Sequence, residues 1–136
     1  FLHYRPRFLG AELGLRKYLN GAVHPSGKEA TFWHLISEGE SEENRVPDIP
    51  RCERIGWIRS ILDRLEAGDQ DIRVWGQLRS GKKNYGVSLP NFEYVIFLGE
   101  RKGNAGTYTL PLTAYVVREK RRTKYQEEWR LGKITP

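Results

Sequence analysis

The chain has 136 residues, 38% of them hydrophobic and 29% charged. That length and composition fit one domain around one core and exclude a wholly disordered chain. Lys and Arg outnumber Asp and Glu by 23 to 17, a bias that favours an anionic partner: nucleic acid, an acidic protein or a membrane surface.

No apolar run reaches the ~18 residues of a membrane-spanning helix. The N-terminus also lacks the basic-then-apolar layout of a signal peptide. The chain starts at Phe1 and contains no Met, which reads as a fragment of a longer protein. Cys52 is its single cysteine, so an internal disulfide is excluded. With His3, His24 and His34 it shows no paired spacing of zinc ligands. No metal or cofactor is expected. No P-loop, Rossmann glycine pattern, HExxH or GxSxG motif is present.

In chain order, Pro6 to Asn20 reads as a helix. Phe8, Leu9, Leu13, Leu15 and Leu19 give a helical stripe, Pro6 suits the first turn and Asn20-Gly21 the stop. His24 to Gly27 is a loop. Glu29 to Ser37, rich in β-branched and aromatic residues, reads as a strand, with Phe32, His34 and Ile36 on one face. There His34 is either a buried, hydrogen-bonded histidine or a group for proton transfer near neutral pH. Glu38 to Asp48 is an acidic loop that could flank a site.

Pro47 to Pro50 starts a helix that runs from about Pro50 to Ala67 and stops at Gly68. Ile55, Ile58, Leu62 and Leu65 form its buried stripe, and one turn back that stripe lands on Arg51. A cation in the first turn, on the core-facing line, needs an anionic neighbour. Either a bound phosphate or an internal salt bridge, to Glu53 or to the acidic loop, would serve. Arg54 lies near the edge of the stripe, and Glu53 projects to the opposite side.

From Asp71 the hydrophobic period becomes two. Ile72, Val74 and Leu78 alternate with Arg73, Trp75 and Gln77. Turns at Ser80-Gly81, Pro90-Asn91 and Gly103 to Gly106 separate four strands, the last one, Thr107 to Val117, bent by Pro111. This is an antiparallel meander. If helices cover its aliphatic face, the other face shows Arg73, Trp75, Gln77, Thr113 and Tyr115. That is either a stacking and hydroxyl surface for a nucleotide or a solvated sheet face. A basic run, Arg118 to Lys124, opens a closing helix. It is either a solvated face or a track for a phosphate backbone.

The segments Phe32-Trp33-His34-Leu35-Ile36-Ser37, Pro47 to Ile55 with Trp57, and Thr113-Ala114-Tyr115 together resemble the barnase/EndoU/colicin/RelE-like nuclease superfamily. The likeness is to its phage-related domains and to the C-terminal toxin domains of contact-dependent growth inhibition systems. It spans about residues 31 to 125. It implies an α+β fold, with N-terminal helices on a four-stranded antiparallel sheet and a short C-terminal helix. It also implies a metal-independent ribonuclease toxin, cleaved from a secreted or cell-surface protein and neutralised by a cognate immunity protein. Carried over, the catalytic set is His34, Arg51, Arg54, Thr113 and Tyr115. The related segment often reads Trp-Thr-Ala-Tyr, whereas this chain has Leu112 in place of the first aromatic.

The expected reaction is attack of an RNA 2′-hydroxyl on the adjacent phosphate, in tRNA or another structured RNA. His34 would move the proton, and Arg51 and Arg54 would stabilise the phosphorane. Thr113 and Tyr115 would orient the phosphate, or one of them would share the acid-base work. Trp75, Arg73, Glu53, Arg118, Arg121 and Lys124 would hold the substrate. The immunity protein is expected to be acidic. The alternatives are a nucleic-acid-binding domain without chemistry and a basic interaction domain for an acidic protein.

Overall fold

The computed structural model describes residues 6–14, 18–19, 22–23, 30–39, 44–104 and 106–134. Two short hairpins come first: β1 (Arg7–Phe8) with β2 (Ala11–Glu12), and β3 (Tyr18–Leu19) with β4 (Ala22–Val23). Then follow α1 (Ala30–Ile36), β5 (Ser37–Glu38) paired with β6 (Val46–Pro47), α2 (Ile49–Glu53) and α3 (Ile55–Glu66). The main sheet is built from β7 (Arg73–Arg79), β8 (Lys82–Ser88), β9 (Tyr94–Gly103) and β10 (Gly106–Val116), and α4 (Glu119–Gly132) closes the chain. The class is α+β, and the sheet is the expected antiparallel meander, in the order β10-β9-β8-β7. The turn between β7 and β8 places Ser80 at φ 51° and Gly81 at φ 74°. Paired positive φ values twist a two-residue turn in the sense that the flanking strands require. Register shifts between Pro111 and Thr113, leaving Leu112 as the extra residue of a bulge at the expected bend.

The sheet is buried on both faces. On one, Val74, Tyr85, Val87, Ile96, Leu98 and Ala114 pack with Ile58, Ile61, Leu62 and Leu65 of α3 and with Leu35, Leu13 and Phe8. On the other, Trp75, Phe92, Val95 and Phe97 pack with Val117 and with Tyr125 of α4, with Tyr115 and Trp129 at the margin. The layers are therefore α3, sheet, α4. Among the described residues no helix is long and apolar enough to cross a membrane.

Three expectations are corrected. Pro6 to Asn20 is not a helix over its described part. Leu9 and Gly10 take φ of 50° and 84° in a hairpin turn, and Leu13 N–H bonds back to the Pro6 carbonyl at 3.0 Å. The expected stop at Asn20-Gly21 and the loop from His24 to Gly27 lie outside the described residues. Ala30–Ile36 is a helix, not a strand. An apolar run this short fits either period. Helical spacing buries Thr31 with Leu35, and Trp33 with Ser37, and Ser37 Oγ closes the last turn by donating to the Trp33 carbonyl. The helix at Pro50 to Ala67 is broken in two at Arg54, whose φ of −108° and ψ of 11° are not helical. Its expected stripe holds: Ile58, Leu62 and Leu65 are buried, with Ile61 beside them, and Ile55 packs at the margin.

Candidate functional site

Arg51 is the residue on which the site turns. Its backbone N–H donates to Asp48 Oδ1 at 3.3 Å, so Asp48 caps α2. Its Nη1 donates to the Ser37 carbonyl at 2.6 Å, and its Nε lies 3.5 Å from Asp48 Oδ2. Both side chains are mostly buried, at 14% and 16% exposure. The internal ion pair thus exists, and it is with the acidic loop rather than with Glu53. Asp48 already fills the N-terminus of α2, so that helix end is not the expected phosphate site. The Arg51 guanidinium also lies 5.4 Å from the centre of the Tyr115 ring, which joins α2 to β10.

Tyr115 and Arg51 share a cleft of about 710 Å³ with Glu38, Asp48, Pro50, Val116, Arg118, Lys120 and Arg121. Four of these residues are cations and two are carboxylates, one of which is tied to Arg51. At its rim lies the N-terminus of α4, where Arg118 is the N-cap and makes no side-chain cap hydrogen bond. Cations in a first helical turn oppose the helix dipole. An anion lodged there relieves that repulsion and meets free backbone N–H groups. The signal for this site was the basic run itself, located at a helix start.

A second cleft of about 290 Å³ adjoins the first through Tyr115 and Arg121. It is lined by Gln77, Arg79, Asn84, Phe97, Leu112, Thr113, Lys124 and Tyr125 as well. The Tyr115 and Tyr125 hydroxyls are hydrogen-bonded to each other. Burial, and then that bond, hold the Tyr115 phenol well above its ordinary range; Arg121 and Arg51 pull it the other way. Tyr115 is therefore a protonated hydroxyl throughout the neutral range, able to donate and not to act as a base.

Of the expected site residues, the structure gathers Arg51, Thr113, Tyr115, Arg118, Arg121 and Lys124 along these two clefts. Five others are elsewhere. His34 sits half-buried at the end of α1, its carbonyl accepting from Arg45 Nη2 at 3.2 Å, and lines neither cleft. Arg54 donates to the Pro50 carbonyl at 3.1 Å and lies 5.2 Å from the Trp57 ring. Glu53 is exposed, 3.8 Å from Arg54. Arg73 stacks 4.9 Å from the Trp129 ring. Trp75 is correctly placed on the second face of the sheet but is 0% exposed beneath α4, so it offers no face to a base. The overlooked signal was the pair Tyr125 and Trp129, one helical turn apart, which makes α4 a covering helix.

The sequence reading did not single out Glu38, Lys120 or Arg79 for the site. Glu38 opens the acidic loop expected to flank a site. Its carboxylate shares the cleft with Arg51, Arg118, Lys120 and Arg121.

No family model matches the chain, nor does any curated protein or solved structure.

Proposed function

We propose that this chain is a metal-independent endoribonuclease domain that works in the Arg51–Tyr115–Arg121 cleft. The observation that carries this reading is one cleft uniting Arg51, Arg118, Lys120 and Arg121, the uncapped start of α4, a protonated phenol and a carboxylate. A phosphate in it faces several fixed positive groups, which would favour the phosphorane's extra charge over the ground state. Arginine forks hold two phosphate oxygens at once, so the chain's own groups supply the electrostatic work that a metal ion does elsewhere.

The 2′-hydroxyl proton passes to the Glu38 carboxylate as O2′ bonds to phosphorus. The bond from phosphorus to O5′ breaks, and the leaving oxygen takes a proton from the Tyr115 phenol, which Tyr125 backs. The products are a 2′,3′-cyclic phosphate and a 5′-hydroxyl. This moves the proton acceptor from His34 to Glu38, because Glu38 lines the cleft and His34 does not. The resemblance supplies the biological setting. It is a toxin domain of the barnase/EndoU/colicin/RelE-like kind, delivered to the cytoplasm of a target cell and checked by an acidic immunity protein.

The test is incubation with total RNA in EDTA, followed by analysis of the new ends. Cyclic phosphate ends, reduced about 10²-fold or more in Glu38→Gln and in Arg121→Ala, support the reading. Loss in His34→Ala with none in Glu38→Gln reverses the assignment of the base. RNA left intact at high protein concentration removes the enzymatic reading, and binding without cleavage selects a nucleic-acid-binding domain.

A further inference from the structure

At the far end of the sheet, the tips of the β7–β8 and β9–β10 hairpins frame a third cleft, of about 540 Å³. Its charged residues are Lys82, Lys83, Arg101, Lys102 and Glu100. The single carboxylate is engaged, since Glu100 Oε2 accepts from the Tyr85 hydroxyl at 3.2 Å. Gly81, Thr107 and two exposed hydrophobic side chains, Leu78 at 76% and Tyr108 at 42%, complete the lining. None of these residues takes part in the chemistry proposed above.

Cations line both clefts on either side of the β7–β8 turn, Arg79 being paired with Glu128 at 3.6 Å. Arg79 lines the cleft beside Tyr115, and its register partner Lys82 lines this one. The distance follows from strand geometry. Tyr115 lies opposite Val95 of β9, and Thr107 opposite Lys102 of the same strand. At ~3.3 Å per residue, Val95 to Lys102 spans ~23 Å. A stacked nucleic-acid strand advances about 3.4 Å per nucleotide, so ~7 nucleotides bridge the two ends.

We propose that the hairpin tips form a second binding site for the phosphate backbone of the same RNA, held by Lys82, Lys83, Arg101 and Lys102, with Tyr108 offering a ring for a base. The proposal rests on the ribonuclease reading for its substrate. The site makes the domain prefer RNAs long enough to reach the tips over a dinucleotide carrying only the scissile bond. An acidic protein also fits the charge, but a polynucleotide is favoured because cations line both clefts, with Arg79 and Lys82 as register partners between them and a spacing that suits ~7 nucleotides.

The experiment measures binding and cleavage separately. Binding uses 2′-O-methyl RNAs of two to about twelve nucleotides, bracketing the ~7 required; they lack the attacking hydroxyl and cannot be cut. Affinity is expected to rise with length up to that point and then level. In Lys82→Glu/Lys83→Glu the long RNAs lose at least about tenfold, and the slope of log affinity on log salt shrinks by about 1 to 2. Lys102→Glu, on the other hairpin, shifts both in the same direction. Cleavage of an unmodified dinucleotide stays at the level of the unsubstituted protein in these variants. Affinity indifferent to both variants overturns the proposal and leaves an acidic protein as the occupant. Length-dependent binding without cleavage of any unmodified RNA supports the site while overturning the catalytic reading.

Discussion

Gly86→Ala tests whether Trp75 is core or binding surface. Gly86 lies between Trp75 of β7 and Phe97 of β9 in the sheet register, with the indole lying over it. A Cβ on Gly86 would come 2.7 Å from Trp75 Cη2, and closer still to Cζ2 and Cε2. Carbon atoms rest at ~3.5–4.0 Å, so the indole must move by about 1 Å or more. It has nowhere to go. Phe92, Phe97 and Tyr125 hold it, with ring centroids 6.1, 6.2 and 6.4 Å away. Overpacking of this kind costs roughly 1–3 kcal/mol. For a chain of this length that lowers Tm by about 3–15 °C. The assay is thermal unfolding by circular dichroism, with Trp75→Leu and the double variant alongside. Trp75→Leu removes the atoms that the new methyl strikes, so the double variant should be more stable than the sum of the two costs by about 1–2 kcal/mol. A melting point unchanged by Gly86→Ala, or Trp75 fluorescence quenched when RNA binds, would refute the buried position and restore Trp75 as a base platform.

Arg51→Ala should lower both stability and activity. Loss of the Ser37 carbonyl bond and of the Asp48 pair costs about 2–4 kcal/mol, read by denaturant melts. The folded fraction should still lose about 10²–10³-fold in RNA cleavage; a loss explained wholly by unfolding would make Arg51 structural only. Alkaline pH should destabilise the fold through Tyr94 and Tyr115. Burial pushes the Tyr94 phenol up to about 12, and burial with the Tyr125 bond raises Tyr115. The folded state therefore holds these protons more tightly than the unfolded state. Their contribution is complete below about pH 10 and is lost as pH rises toward the folded values. Urea melts from pH 8 to 11.5 should show the decline, and Tyr94→Phe with Tyr115→Phe should flatten it.

The meander was legible because alternation, tight turns and Pro111 all point the same way. The α3 stripe was legible because four aliphatic residues keep one helical period. Ala30–Ile36 was not, since its β-branched and aromatic composition favours a strand locally, while packing against β10 and the Ser37 bond to the Trp33 carbonyl impose a helix. With the wrong period, His34 was assigned to a face that does not exist. Arg51 was readable as a buried cation needing an anion; which anion it meets depends on the fold of the loop that brings Asp48 and Ser37 to it. Trp75 was placed on the correct face, but whether that face meets water is decided by Tyr125 and Trp129, far along the chain.

These two aromatic residues also account for how the cleft is made. The second face of the sheet is divided between packing and the proposed site. Trp75, Phe92, Phe97 and Val117 hold α4 by Tyr125, the one residue of that helix that is buried. Trp129 packs at the margin under Arg73, Glu128 pairs with Arg79 at 3.6 Å, and Ile134 N–H, just past the helix, bonds the Val74 carbonyl at 2.8 Å. These contacts of α4 with the sheet place Arg118, Lys120, Arg121 and Lys124 along the clefts. The Tyr125 hydroxyl extends them into the site by bonding Tyr115. Burial first, and then this bond to the helix, raise the Tyr115 phenol above its ordinary range, so the packing that seats the basic helix also favours the protonated phenol.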